Sequence, residues 1–171
     1  HTMAGASAKS PRGDQVLCAP GNAGTALLGT NLDIAATDIS GVVAAARREG
    51  IDLVAVGPED PLAAGMVAAL SAADIAAFGP SGAAAQLEQS KWFAKKIMVR
   101  SGVRTARAQS FVDAEQAEAF VNELADSSGA VPVIKADGLA AGKGVIVPND
   151  TQTAHRAVRD MLGGMFGTAS T

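Results

Sequence analysis

Two lysines beside a short glycine-rich run are the residues of this sequence best suited to bind phosphate. Lys135 lies in an apolar stretch, and Lys143 lies within the glycine-rich run 138–144. A glycine-rich backbone can direct several N–H groups at one anion, and nearby lysines add positive charge. The segment 133–147 therefore predicts a polyphosphate site. The spacing alone is equally compatible with a glycine-rich hairpin that carries two solvated lysines and no ligand.

The order of residues in this run differs from that of better-known glycine loops. A P-loop has four residues between its glycines, a hydroxyl after the lysine and a helix next. Here three residues separate Gly138 from Gly142, and the strand-like segment 145–147 follows. The dinucleotide fingerprint fails on the same grounds, and the kinase loop precedes its strand lysine, whereas Lys135 precedes this loop. The remaining interpretation is a hairpin whose tip folds over nucleotide phosphates.

Strand alternation adds to this interpretation of Lys135. The pleat predicts one face with Val131, Val133 and Lys135, and the other with Pro132, Ile134 and Ala136. A lysine among apolar strand residues is costly to bury unless its ammonium has a partner. A nucleotide phosphate would be such a partner.

Composition limits the classes of protein to which the chain can belong. It has 171 residues, 48% of them hydrophobic and 18% charged, so we expect a packed core in one sizeable or two small domains. A net charge of −3 gives no basic footprint for nucleic acid, and no apolar run approaches the ~20 residues that cross a bilayer. Cys18 is the single cysteine, so no intrachain disulfide can form, and His1 and His155 are too isolated to suggest a metal site. We expect a cytoplasmic protein.

The first half of the chain alternates strands and helices, which predicts a doubly wound parallel sheet. Predicted strands cover 16–19, 51–56 and 75–78, and predicted helices cover 39–48 and 61–72. The strand 51–56 is almost wholly apolar, so we expect both of its faces to be buried. Asp38 and Asp60 are the expected helix caps, and Pro61 suits a first helical position.

Ligands of such sheets bind at the carboxyl ends of the strands. The loops 20–24 and 57–61 follow two of the predicted strands, and Asn22 and Glu59 are their polar groups. These two residues are therefore candidates for substrate contact. Both also suit the backbone geometry of a turn, which is an alternative explanation.

The second half predicts three helices and the hairpin. Ser90, Asp113 and Asp150 are expected to cap helices over 91–100, 114–124 and 151–162, the second with Gln116 in a capping-box-like start. The expected inward residues are Phe93, Ala94, Ile97 and Met98, then Ala117, Phe120, Val121 and Leu124, then Ala154, Ala157, Val158 and Met161. Lys91 opposes the helix dipole in a first turn, which indicates either a functional or a solvated cation. A domain boundary is expected between residues 80 and 90.

Five segments in order carry a family resemblance. They are Pro20-Gly21-Asn22-Ala23-Gly24-Thr25, Val56-Gly57-Pro58-Glu59, Phe78-Gly79-Pro80, Gln86-Leu87-Glu88-x-Ser90-Lys91 and Ile134-Lys135-Ala136-Asp137-Gly138-Leu139-Ala140-Ala141-Gly142-Lys143-Gly144-Val145. Together they resemble the phosphoribosylamine–glycine ligases, or glycinamide ribonucleotide synthetases, of the ATP-grasp superfamily. The resemblance covers essentially the whole chain.

The resemblance implies a fold and a reaction. The fold is α/β, with a doubly wound, Rossmann-like domain at 1–88 that lacks the family's first strand, followed by the first part of an ATP-grasp module at 89–171. The reaction joins glycine to 5-phosphoribosylamine in de novo purine synthesis, giving glycinamide ribonucleotide, ADP and phosphate. Glycyl phosphate is the intermediate, so the site must neutralise phosphate charge and exclude water.

The resemblance also implies roles for particular residues. ATP is expected at Lys91, Lys135, Asp137, Gly138, Leu139, Ala140, Ala141, Gly142, Lys143 and Gly144. The binding site for phosphoribosylamine is expected at Asn22, Gly24, Gly57, Pro58 and Glu59. No residue is identified as catalytic or as a metal ligand, because carboxylates for Mg²⁺ are expected beyond Thr171. By itself the chain is expected to be inactive, and the intact protein is expected to be a monomer that binds neither nucleic acid nor membrane.

Two alternative functions stay open. One is another ATP-grasp carboxylate–amine ligase with a different acceptor. The other is a non-catalytic module that binds nucleotide or a partner through the same surfaces.

Overall fold

The computed structural model describes residues 2–13, 15–138 and 144–165. The chain divides into two compact units, residues 1–85 and residues 86–171. The residues Leu139 to Lys143, for which a phosphate-binding role was predicted, lie outside the described residues. No helix in the described ranges is long and apolar enough to cross a membrane.

The first unit has parallel strand pairs and helices in alternation. Its elements are α1 Thr2–Ala8, β1 Leu17–Cys18, a 3-10 turn Thr25–Leu27, β2 Thr30–Asn31, α2 Ile39–Arg48, β3 Leu53–Ala55, α3 Glu59–Ala63, α4 Met66–Ala72, β4 Ala76–Phe78 and the start of α5 Gly82–Gln89. Strand β1 pairs with β2, and β3 pairs with β4, both in parallel. The predicted α/β class with parallel strands is confirmed. Helix α1 was not predicted.

The core of the first unit lies between α2, α4 and one face of β3 and β4. Its buried residues are Ala46, Val56, Met66, Leu70 and Ile75. Val54 and Ala77, which are opposite each other in the pair, pack against this core. The central residue of each strand is thus the one that faces the helices.

The other face of this strand pair is open, so the prediction of a strand buried on both faces is wrong. Leu53 is 59% exposed and Phe78 is 69% exposed. Alternation puts both side chains on the face opposite to Val54, and the described helices of the core pack on the Val54 face. An apolar sequence does not distinguish a strand covered on both faces from one covered on a single face.

The predicted helix over 61–72 is in fact two helices. Gly65 adopts a left-handed conformation (φ +90°) between α3 and α4, which ends one helix and begins the next. Pro58, not Asp60, is the N-cap residue, and no side chain caps α3. Pro61 is the third helical residue, where a missing N–H still costs no helical hydrogen bond.

The second unit contains the hairpin and three further helices. These elements are α6 Lys91–Arg100, α7 Ala114–Ser128, β5 Ile134–Lys135, β6 Val145–Ile146 and α8 Thr151–Leu162. All three predicted caps are confirmed: Ser90 Oγ accepts from Phe93 N at 3.0 Å, Asp113 Oδ1 from Gln116 N at 2.9 Å and Asp150 Oδ1 from Thr153 N at 2.7 Å. Helix α7 continues four residues past the predicted end at Leu124 and stops at the left-handed Gly129.

Helices α7 and α8 pack together and form the core of the second unit. Its buried cluster is Ala117, Val121, Ala154 and Val158, and every predicted inward residue of α8 is buried. Helix α6 has no fully buried residue: Phe93, Ala94 and Ile97 are half-buried, and Met98 is 37% exposed, so the predicted inward orientation of Met98 is wrong. Ile97, Met98 and Val99 are consecutive, and three adjacent apolar residues on a helix do not define a single face.

A carboxylate on α7 joins the two core helices through an ion pair. Glu118 accepts two hydrogen bonds from Arg159 of α8, at 2.6 and 3.0 Å, and His155 lies 3.8 Å from the same carboxylate. The hydrogen bond from Arg159, with the positive charge of the guanidinium and a contribution from His155, holds the pKa of Glu118 below its ordinary value. The charged form of Glu118 is therefore favoured in the folded state.

This lowered pKa predicts part of the acid sensitivity of the fold. Because the folded-state pKa of Glu118 is below the unfolded one, its stabilising contribution is present above the ordinary glutamate pKa and is lost as the pH falls through the folded pKa. Glu118→Gln should lower the free energy of unfolding at neutral pH and make it less dependent on pH below about 5. Urea unfolding from pH 7 to pH 3 measures this. Glu115→Gln, on the exposed side of the same helix, is the control, and an equal effect of both substitutions would contradict the assignment.

Candidate phosphate-binding site

The predicted hairpin around the glycine-rich run is confirmed at its described ends. Strands β5 and β6 are antiparallel, with Ile134 opposite Ile146 and Lys135 opposite Val145. The N–H of Ala136 donates to the carbonyl of Gly144 at 2.9 Å, one step closer to the loop. The glycine-rich run therefore joins two paired strands, as its spacing predicted.

The two faces of β5 differ as strand alternation predicted, with one exception. Ala136 is 4% exposed and Ile134 packs against the α7–α8 core, whereas Val133 and Lys135 face outward. Val131 also packs against the core, so its predicted place beside Lys135 is wrong; it precedes the regular strand. Because Lys135 is exposed, its ammonium group can remain hydrated and does not need an anionic partner.

Lys91 reaches the base of the glycine-rich loop from helix α6. Its ammonium nitrogen donates to the carbonyl oxygen of Gly138 at 3.0 Å. Gly138 has φ +94°, a conformation that glycine adopts without strain. The first-turn lysine that opposes its helix dipole thus lies at the predicted site, although 47 residues separate it from Gly138.

Asp137 binds the N-terminus of α6 with both carboxylate oxygens. One oxygen accepts from the hydroxyl of Ser90 at 2.8 Å, and the other accepts from the backbone N–H of Trp92 at 3.2 Å. A carboxylate at this end of a helix is favourable because of the helix dipole. Asp137 therefore has a structural role within the chain, which sequence analysis did not anticipate.

A cavity of about 540 Å³ brings Lys91, Lys135 and Asp137 together. Its apolar wall comprises Phe111, Phe120, Val121, Leu124, Ile134, Val158, Met161 and Leu162, among others. Cavities of this size, with apolar walls and a few convergent polar groups, are typical of small-molecule sites.

Lys95 is a further cation of this cavity, and sequence analysis did not select it. It donates to the carbonyl of Ala106 at 2.8 Å and to the hydroxyl of Thr105. It lies four residues after Lys91, which places both lysines on one side of α6. That spacing is the sequence signal that would have identified it.

The described polar groups of this site carry the positive charge and N–H donors that suit an anion such as a phosphate group. Lys91 and Lys135 supply positive charge beside the described ends of the glycine-rich loop. Within the described ranges, no three His, Cys, Asp or Glu residues lie close enough together to hold a metal ion.

In the first unit, Asn22 shapes the turn that follows β1. Its side-chain oxygen accepts from the N–H groups of Gly24 and Thr25 at 2.9 and 3.1 Å. Its backbone carbonyl accepts from the side-chain amide of Asn31 on β2 at 2.8 Å, and Thr25 is 4% exposed beneath the turn. The side-chain oxygen of Asn22 is thus engaged within the protein, while the residue itself is exposed.

The second predicted loop of this unit follows β3. Gly57, Pro58 and Glu59 are all exposed, and Glu59 is the first residue of α3. A Cβ atom at Gly57 would lie 3.3 Å from the sulfur of Met3, so α1 packs against this loop. Glu59 is favourably placed in the first helical turn, which explains its presence without a ligand.

Two models of protein families match the chain end to end. The N domain of phosphoribosylglycinamide synthetase matches residues 1–88, and the ATP-grasp (A) domain of the same enzyme matches residues 89–171. The phosphoribosylamine–glycine ligases of Yersinia pestis and Allochromatium vinosum are 52% and 51% identical to this chain, over 99% of its length. The chain spans 39% of the length of each of these relatives.

A solved structure supports the same relationship. The crystal structure of phosphoribosylamine–glycine ligase from Thermotoga maritima superposes with a TM-score of 0.69 at 26% sequence identity, covering 96% of this chain and 38% of that one. The fold, the two family models and the relatives agree with the resemblance carried by the five sequence segments. The chain belongs to the phosphoribosylglycinamide synthetase family.

Proposed function

We propose that this chain supplies the ATP phosphate-binding part of a carbon–nitrogen ligase that joins glycine to 5-phosphoribosylamine. The products would be glycinamide ribonucleotide, ADP and phosphate, with glycyl phosphate as the intermediate. The names of the relatives and both family models support this activity.

The observation that carries the proposal is the position of Lys91. Its ammonium lies 3.0 Å from the carbonyl of Gly138, at the base of the glycine-rich loop, and shares a cavity with Lys135. An ammonium has three N–H donors, so Lys91 can keep this bond and also donate to a phosphate oxygen. Charge neutralisation of this kind stabilises a transferring phosphoryl group. We assign Gly138 to Gly144 to the same phosphate site.

We propose that two loops of the first unit bind phosphoribosylamine. Asn22 and Gly24 follow β1, and Gly57, Pro58 and Glu59 follow β3, which is where parallel α/β folds bind ligands. Asn22 and Glu59 are exposed residues, and we propose that the side-chain nitrogen of the first and the carboxylate of the second contact the substrate.

The proposal includes Mg²⁺ only as the ion that accompanies ATP. Among the described residues, no three His, Cys, Asp or Glu side chains form a group that could hold the ion, and we propose no residue of this chain as its ligand. We further propose two domains divided at residues 88 and 89, a monomeric intact protein and a cytoplasmic location.

Equilibrium dialysis and a product assay test this proposal. The 171-residue chain should bind radiolabelled ATP without forming ADP, whereas a full-length protein that contains it should form ADP only when glycine and phosphoribosylamine are both present. Turnover with a different amine would favour another ATP-grasp ligase. ATP binding by a full-length protein that turns over no amine would favour a non-catalytic module, and a chain that binds no ATP would refute the phosphate site.

A further inference from the structure

We propose that Asp137 is a positioning residue, which fixes the N-terminus of α6 against the hairpin so that Lys91 is held at the base of the glycine-rich loop. The inference rests on the proposed role of Lys91 in binding ATP phosphates. It assigns to Asp137 an effect on affinity that is exerted through Lys91, without contact between the carboxylate and the nucleotide.

The contacts of Asp137 fix one helical turn at two points. Its oxygens accept from the Ser90 hydroxyl at 2.8 Å and from the Trp92 N–H at 3.2 Å, on either side of Lys91 in the sequence. The Ser90 oxygen also accepts from Phe93 N at 3.0 Å. A hydroxyl can donate and accept at once, so Asp137, Ser90 and α6 form one continuous hydrogen-bonded group.

This arrangement differs from the other side-chain caps of the second unit. Asp113 and Asp150 each accept from an N–H three residues later in the helix that they cap, so each stabilises only that helix. Asp137 instead binds residues 47 and 45 positions earlier, so it ties α6 to the hairpin. Ser90 already caps α6 locally, so the remote carboxylate of Asp137 adds a fixed position of the helix relative to the loop.

The neighbouring contact shows what that fixed position achieves. Asp137 binds Ser90 and Trp92, while the next residue, Gly138, accepts the hydrogen bond from Lys91. Two consecutive residues of the hairpin therefore bind three consecutive residues of the helix. The carboxylate also offsets the unfavourable charge of Lys91 in a first helical turn. Because the side chain of Lys91 is already positioned, it loses less conformational entropy when it binds a phosphate.

The inference predicts a graded loss of ATP affinity. Asp137→Ala removes both hydrogen bonds and should weaken ATP binding by about tenfold, whereas Ser90→Ala removes one of them together with the local cap of α6 and should weaken it by about threefold. Ser90→Thr keeps the hydroxyl and should bind ATP with the affinity of the unsubstituted chain. Asp150→Ala is the matched control, because it also removes an aspartate that binds a helix N-terminus in the second unit, but its hydrogen bond is with Thr153 of α8.

A double-mutant cycle with Lys91→Met separates positioning from general stabilisation. If Asp137 acts through Lys91, Asp137→Ala should cost less than about twofold in ATP affinity once Lys91 is methionine. Trp92, the single tryptophan, gives a second measurement because Asp137 holds its N–H. Its fluorescence emission should shift in Asp137→Ala without ligand and stay unchanged in Asp150→Ala.

These outcomes distinguish a failure of the positioning role from a failure of the proposed function on which it rests. If Lys91→Met weakens ATP binding and Asp137→Ala does not, or if the two losses simply add, the positioning role is wrong. If wild-type chain binds no ATP, or Lys91→Met has no effect, the proposed function fails instead. Should Asp137→Ala fail to fold by circular dichroism, the comparison of Ser90→Ala with Ser90→Thr decides, and equal affinity in those two variants overturns the inference.

Discussion

Replacement of Leu70 by alanine is expected to destabilise the protein by about 3 kcal/mol. Leu70 is 0% exposed and packs in the core cluster with Val56, Met66 and Ile75. The substitution removes buried apolar surface and leaves a cavity that α4 and β4 can close only in part. Urea unfolding followed by far-UV circular dichroism measures the change in the free energy of unfolding.

Leu27→Ala is the matched control for this prediction. Leu27 is 84% exposed, so the same chemical change should alter stability by less than about 0.5 kcal/mol. A loss of similar size in both variants would mean that the packing around Leu70 does not determine the stability of the first unit.

The helix boundaries that sequence analysis located correctly are those set by neighbouring residues. Asp38, Ser90, Asp113 and Asp150 each bond to an N–H three residues later, and this pattern is visible in the sequence itself. The break at Gly65 was missed, because a glycine inside an apolar helical pattern lowers helix stability without dictating a stop.

Burial was harder to predict than secondary structure, for a physical reason. The four inward residues of α8 were correct because polar residues occupy its opposite side, which defines one face. In β3 and α6, apolar residues occur on more than one face, and neighbouring elements decide which face is covered. The exposed Leu53 and Met98 are the result.

The candidate site was predictable in its parts but not in its connections. The order of lysine, glycine-rich run and strand identified the hairpin, and the unfavourable first-turn charge drew attention to Lys91. The bonds from Lys91 to Gly138 and from Ser90 to Asp137 join residues 47 positions apart. No local pattern encodes such pairings, and they were found only from the fold.

Replacement of Lys91 by methionine is expected to weaken ATP binding by about ten- to a hundredfold. Methionine keeps the length of the unbranched side chain and removes the ammonium that lies 3.0 Å from the Gly138 carbonyl. A hydrogen bond between a cation and a phosphate is among the stronger polar contacts in proteins, which accounts for the size of the effect. Equilibrium dialysis with radiolabelled ATP measures the dissociation constant.

Lys96→Met separates this local effect from the loss of a positive charge. Lys96 lies on the exposed side of α6 and does not line the cavity that contains Lys91. Both variants change the net charge equally, so general electrostatic attraction of ATP falls by the same amount in each and is screened by salt. At about 0.15 M salt, Lys96→Met should change the dissociation constant by less than about twofold. An equal loss in both variants would show that Lys91 acts only through net charge.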